Sequence, residues 1–116
     1  MDRNALHQEH REWLSQLDFY QDEIKIFQNE LCGVIQQHPD YLHMIEHVDE
    51  YRSILLRKLQ RIDDLRHTIM LHERQLVKEE PQDEHEHDEV RSTMEHFVQA
   101  FESMKANFRR FVSRNN

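Results

Sequence analysis

A chain of 116 residues, one third of them charged and with one glycine and two prolines, has room for one core and little of the punctuation that short strands need; it is expected to be a single all-α domain spanning 1–116. The 23 acidic residues outweigh the 15 basic ones by a formal charge of −8, which argues against nucleic acid as a partner and gives no reason to expect an anionic membrane surface. The lone Cys32 excludes an intramolecular disulfide, and no apolar run reaches the roughly 18 residues of a membrane span or follows a signal-peptide pattern, so a soluble, cytoplasmic protein without a membrane role is expected.

The first helix is expected over about 4–37. Asn4 offers an N-cap, and Leu6, Trp13, Leu17, Tyr20, Ile24, Phe27, Leu31 and Val34 recur in steps of three and four. His10 occupies the same stripe. Gly33 and Pro39 mark the stop, because proline lacks an N–H and disfavours helical geometry at the residue before it.

The second helix is expected over about 40–79, capped by Asp40 or His38. Its stripe of Tyr41, Ile45, Val48, Leu55, Leu59, Ile62, Ile69 and Leu76 is interrupted by Arg52, Arg66 and the pair His72–Glu73. The acidic segment EEPQDEHEHDE then connects to a third helix over about 84–113, with Asp83 and Glu86 at the offset of a capping box. Val90, Met94, Phe97, Phe101, Met104, Phe108 and Phe111 form its apolar stripe, at the spacing of core residues rather than a cofactor box. Basic residues near its end complement the helix dipole.

Three long helices with short connections predict an antiparallel up-down-up bundle of coiled-coil-like packing. Leu14, Phe19, Ile26, Ile35 and Val98 lie beside the stripes, which leaves two closures open: a monomer, or association as a homodimer or with a helical protein partner.

Ten histidines are the one feature beyond a generic bundle, since imidazole is the commonest metal ligand and titrates near neutral pH. Antiparallel pairing gathers seven of them, His7, His10, His67, His72, His85, His87 and His96, at the end holding the N-terminus, with Glu9, Asp63, Asp64, Glu73 and Glu95 as nearby carboxylates. Centring the turns on the two prolines places His10, His67 and His96 in one layer. Stripe position instead selects His10, His72 and His87 as the inward-pointing histidines. His7, His85 and His87 sit near helix ends or in the acidic turn, where solvated histidine is the common state. The candidate metal ligands are therefore His10, His67, His72, Glu73, His87 and His96, and imidazole with carboxylate suits zinc or iron better than calcium.

Asp64 with His67 and Glu84 with His87 have the acid-x-x-His spacing of di-iron carboxylate bundles. The chain is dimly similar to ferritin-like or hemerythrin-like proteins over those two pairs alone. It has three predicted helices where they have four and lacks their full set of inward glutamates, so it is not assigned to that family. A spectrin-like three-helix unit likewise shares the length and a tryptophan in its first helix, here Trp13, which is too little for kinship.

Two functional classes follow: a small metal-binding bundle, or a structural or interaction module without metal, pH-responsive through its clustered histidines. Full histidine protonation would move the formal charge from −8 to +2, which is −8 plus the ten histidines. The chain leans against an enzyme without excluding one: no Gly-rich phosphate loop or nucleophile elbow is present, and Cys32 is expected to be an inert packed thiol.

Overall fold

The computed structural model describes residues 2–38 and 41–115. Three helices account for nearly all of them: α1 (Arg3–Gln37), α2 (Leu42–Val77) and α3 (Glu84–Asn115). They form a slender rod with extents of 58 × 19 × 17 Å. No helix among the described residues is long and apolar enough to cross a membrane.

Local signals set most of the helix ends. α1 is capped by Asp2, two residues before the expected Asn4, and the Asp2 carboxylate accepts from the Ala5 backbone N–H at 2.7 Å. The helix continues through Gly33 to Gln37, because one glycine costs only about 1 kcal/mol against the packing around it. It stops at His38, the residue before Pro39, as the steric rule requires. Tyr41, rather than the expected His38 or Asp40, stands at the N-cap of α2 with no side-chain capping bond; His38 is instead the C-cap of α1, and Asp40 lies outside the described residues. Asp83 starts α3: its Oδ1 accepts from the His85 N–H at 2.9 Å and its carbonyl from the His87 N–H at 3.1 Å. In the connection before it, Glu79 takes a left-handed φ of 59°, an uncommon conformation for a residue with a Cβ.

Cross-helix partners give the direction of each pair. Arg3 meets Glu79 and Asp18 meets Arg66, so α2 runs against α1. Glu9 meets His87 and Glu23 meets Lys105, so α3 runs along α1. The apolar stripes meet in one continuous core in which Leu17, Ile24, Leu31, Val34, Val48, Leu55, Ile62, Ile69, Phe101 and Phe108 are wholly shielded from solvent. Aromatic rings fill its middle, with Tyr20 and Phe101 ring centres at 4.2 Å and Phe27 and Phe108 at 4.6 Å.

Some stripe positions differ from expectation. Met44 and Leu65 are buried, whereas Ile45 and Leu59 are half-buried and Tyr41 is exposed. A straight helix of 3.6 residues per turn drifts against a seven-residue repeat over a helix this long, so the buried face rotates along it. Phe19 and Ile26 remain more than half exposed, while Leu14, Ile35 and Val98 pack against the core edge. Cys32 is exposed rather than packed, because it falls one residue past the buried Leu31 and off the seam.

Of the polar interruptions in the α2 stripe, Arg66 and Glu73 have partners on α1, whereas Arg52 pairs within α2 with Asp49 at 3.5 Å. Arg66 donates to Asp18 at 2.6 Å and to Gln21 at 2.9 Å. A second polar crossing joins Lys105 to the buried Glu23 at 2.7 Å. Beside it the Tyr20 hydroxyl donates to Glu102 at 2.9 Å, and burial together with that carboxylate pushes the phenol up to about 12.

Candidate functional site

The densest polar cluster lies where the start of α1, the end of α2 and the start of α3 meet. His10 sits on the inner face of α1, one turn before Trp13, and is 1% exposed. Its Nδ1 donates to Glu73 Oε2 at 2.6 Å. The other oxygen of Glu73 is taken by Nδ1 of the more exposed His7. With Nδ1 bearing the proton, His10 Nε2 carries the lone pair, and that atom is buried without a hydrogen-bond partner.

A second carboxylate organises the α3 side. Glu9 Oε1 accepts from His87 Nε2 at 2.6 Å, and both Glu9 oxygens accept from Arg91, each at 2.8 Å. Such a bidentate guanidinium contact is the strong form of the interaction. It holds the Glu9 carboxyl at about 2, well below its usual range; the Arg91 bonds dominate, burial opposes them and His87 adds to the lowering. Arg91 also donates to Asp88 at 2.7 Å. His87 is itself buried, at 7% exposure, contrary to the expectation of a solvated histidine near a helix end. Trp13 covers it, ring centre to ring centre 5.1 Å.

The two networks adjoin. The His10 and His87 ring centres are 5.3 Å apart, and His72 lies 6.5 Å from His10. Burial is the main force on His10, pushing its pKa down; the Glu73 bond acts the other way, and charge on His87 or His72 would lower it further. His10 is therefore held as the neutral imidazole, the form that ligates metal.

The cluster has a route to solvent. An open cleft of about 450 Å³ reaches it between the end of α2 and the α2–α3 connection. Glu80, Asp83 and Glu86 line it with His72 and His87, and no lysine or arginine does so among the described residues. Its field therefore favours cations.

Of the six expected ligands, the structure brings together His10, His72, Glu73 and His87. His67 and His96 are exposed and stand apart from this cluster. The partner of His10 on α2 is Glu73, six residues beyond His67; on α3 the cluster member is His87, nine residues before His96. Interdigitation of the apolar stripes sets the register, so placing the turn centres at the prolines displaced it. Glu9 was visible only as one carboxylate among several, and Arg91 was missed; the signal for both was the spacing of His87 and Arg91, four residues apart on one face of α3.

Among the described residues no group of three or more His, Cys, Asp or Glu side chains is arranged to hold a metal ion. His10 and His87 each turn a protonated nitrogen to a carboxylate, and the donors are neighbours rather than ligands converged on one point. The chain matches no protein-family model, no curated protein and no solved structure.

Proposed function

We propose that the histidine-rich end binds a divalent transition metal, zinc or iron, through His10, His72 and His87. Glu73 and Glu9 orient two of those rings. The observation that carries this reading is the buried, unpartnered Nε2 of His10 on a ring whose other nitrogen donates to a carboxylate. Ligating histidines are held in that way, the carboxylate fixing the tautomer and raising the basicity of the free nitrogen.

Ring spacing is compatible with this reading. Two imidazoles bound to one zinc at roughly 2.0–2.1 Å and a tetrahedral angle keep their centres about 5 Å apart. His10 and His87 stand 5.3 Å apart. His72, at 6.5 Å from His10 and on the wall of the acidic cleft, has to close inward to join them. Nitrogen donors in this number favour zinc or iron over calcium.

Metal analysis and thermal melts of tag-free protein test the proposal. About one zinc or iron per chain is expected, with a higher Tm on metal addition; ligand at a hundred times Kd stabilises by about 2.7 kcal/mol. His10→Leu removes both effects while leaving a folded bundle. Substoichiometric metal with no gain in Tm on adding zinc or iron overturns the reading and leaves the network as an interhelical clamp.

A further inference from the structure

The opposite end of the rod carries a second polar cleft of reversed electrostatic character. We propose that the cleft between the start of α2 and the end of α3 binds a small organic anion, a phosphate or carboxylate on a planar apolar body, held by Arg110 and Arg114.

The cleft is open and has a volume of about 640 Å³, within the roughly 300–1,000 Å³ of small-molecule sites. In a protein of formal charge −8, no aspartate or glutamate lines it among the described residues. Arg110 and Arg114 are four residues apart and so share one face of α3. Neither is paired with a carboxylate among the described residues. Arg110 Nη2 donates instead to Asn107 Oδ1, which holds that guanidinium by a neutral partner and leaves its charge available. A planar guanidinium fork matches the two oxygens of a carboxylate or phosphate.

The opposite wall supplies further donors and the apolar surface. His43 and His47, also four apart, have their Nε2 atoms 3.1 Å from each other and their rings perpendicular at 89°. One ring must donate to the other, which orders the pair. His47 Nδ1 lies 3.9 Å from Glu50, outside the lining. Tyr51 and Phe111 form an aromatic surface, with ring centres 5.0 Å apart at 37°, and the His47 ring lies 5.7 Å from Phe111. A planar ligand body can stack there while its charged group meets the arginines.

The two imidazole nitrogens also stand at a separation suited to chelating a cation, but two guanidiniums in the same cleft oppose one. The charge balance favours the anion.

Two-dimensional NMR titration with phenyl phosphate tests the assignment. Saturable shifts confined to residues 41–51 and 107–115 are expected, with affinity at least tenfold weaker in Arg110→Gln/Arg114→Gln. Both arginines are exposed, so that variant retains the wild-type helical circular dichroism. Unchanged affinity in the variant overturns the proposal, as do equal shifts with benzyl alcohol, which lacks the charge. Zinc binding at His43 and His47 without any response to phenyl phosphate also overturns it, in favour of a cation site. The outcome is independent of metal binding at the His10 end.

Discussion

The two ends of the rod use the same residue type in opposite ways. At the His10 end, two histidines are buried and donate to carboxylates that arrive from other helices. At the far end, His43 and His47 are a local pair on one helix, open to solvent, in a cleft whose charged lining is basic. Burial and the sign of the neighbouring charge, rather than histidine content, decide what an imidazole contributes. A desolvated ring tied across helices is part of the fold, and burial lowers the pKa of His10; an exposed pair leaves stability untouched and is available to a ligand.

Loss of Glu9 should give the largest difference between the ends. Glu9→Ala removes the acceptor of both Arg91 and His87, and hydrogen bonds to charged groups contribute about 1.5–3 kcal/mol. Thermal or urea unfolding of this variant should show a loss of about that size. A loss below about 0.5 kcal/mol would mean that the surface-like value for ion pairs applies here.

Glu73→Ala comes next. It leaves the buried His10 Nδ1 without an acceptor, at a cost of about 1–3 kcal/mol. His10→Leu should be close to neutral in metal-free protein, because it removes the polar ring together with its demand for partners. If both variants lost stability equally, the stabilising element would be ring packing against Trp13 rather than the hydrogen bond.

Acidification should weaken the His10 end first. The His10 pKa is lowered by burial from its ordinary value of 6.5, so the unfolded chain takes up the proton more readily than the folded one. The contribution of neutral His10 is complete above about 6.5 and is lost as pH falls below that value towards the folded pKa. Tm should fall between about pH 8 and about pH 5.5, and His10→Leu should flatten part of that slope. Glu9 acts in a lower window: its carboxyl is depressed from 4.5 to about 2, so its contribution is present above about 4.5 and disappears as pH falls through about 2. A melt unchanged across the upper window would remove the link between His10 burial and stability.

The smallest effect belongs to the far end. His43→Ala and His47→Ala should each shift Tm by less than about 2 °C. A larger loss would show that this pair, too, holds the bundle together.

Much of this arrangement was legible along the chain. The stripe of α1 from Leu6 to Val34 is the buried face, and His10 stands in it as the spacing requires. The breaks at Arg66 and Glu73 in the α2 stripe were equally informative: both cross to α1, Arg66 to Asp18 and Gln21, Glu73 to His7 and His10. Stripe position chose His87, which is buried, and His72, which is half-buried, whereas turn-centred register chose His67 and His96, which are exposed. The first criterion depends on helix periodicity, a local property. The second depends on where two helices interlock, and an error of a few residues at a turn displaces the whole facing surface.

The sequence by itself determined the three helices, the stop of α1 at His38, the start of α3 at Asp83 and most of the inward face of each, because capping, proline sterics and the 3.6-residue repeat act within a few residues. Only the tertiary structure decided that Glu73 and Glu9 reach His10 and His87, that Arg91 joins them, and that the basic end of α3 faces His43 and His47. Those pairings lie far apart in sequence, and the burial that makes Glu9 and Glu73 consequential exists only once three helices have packed.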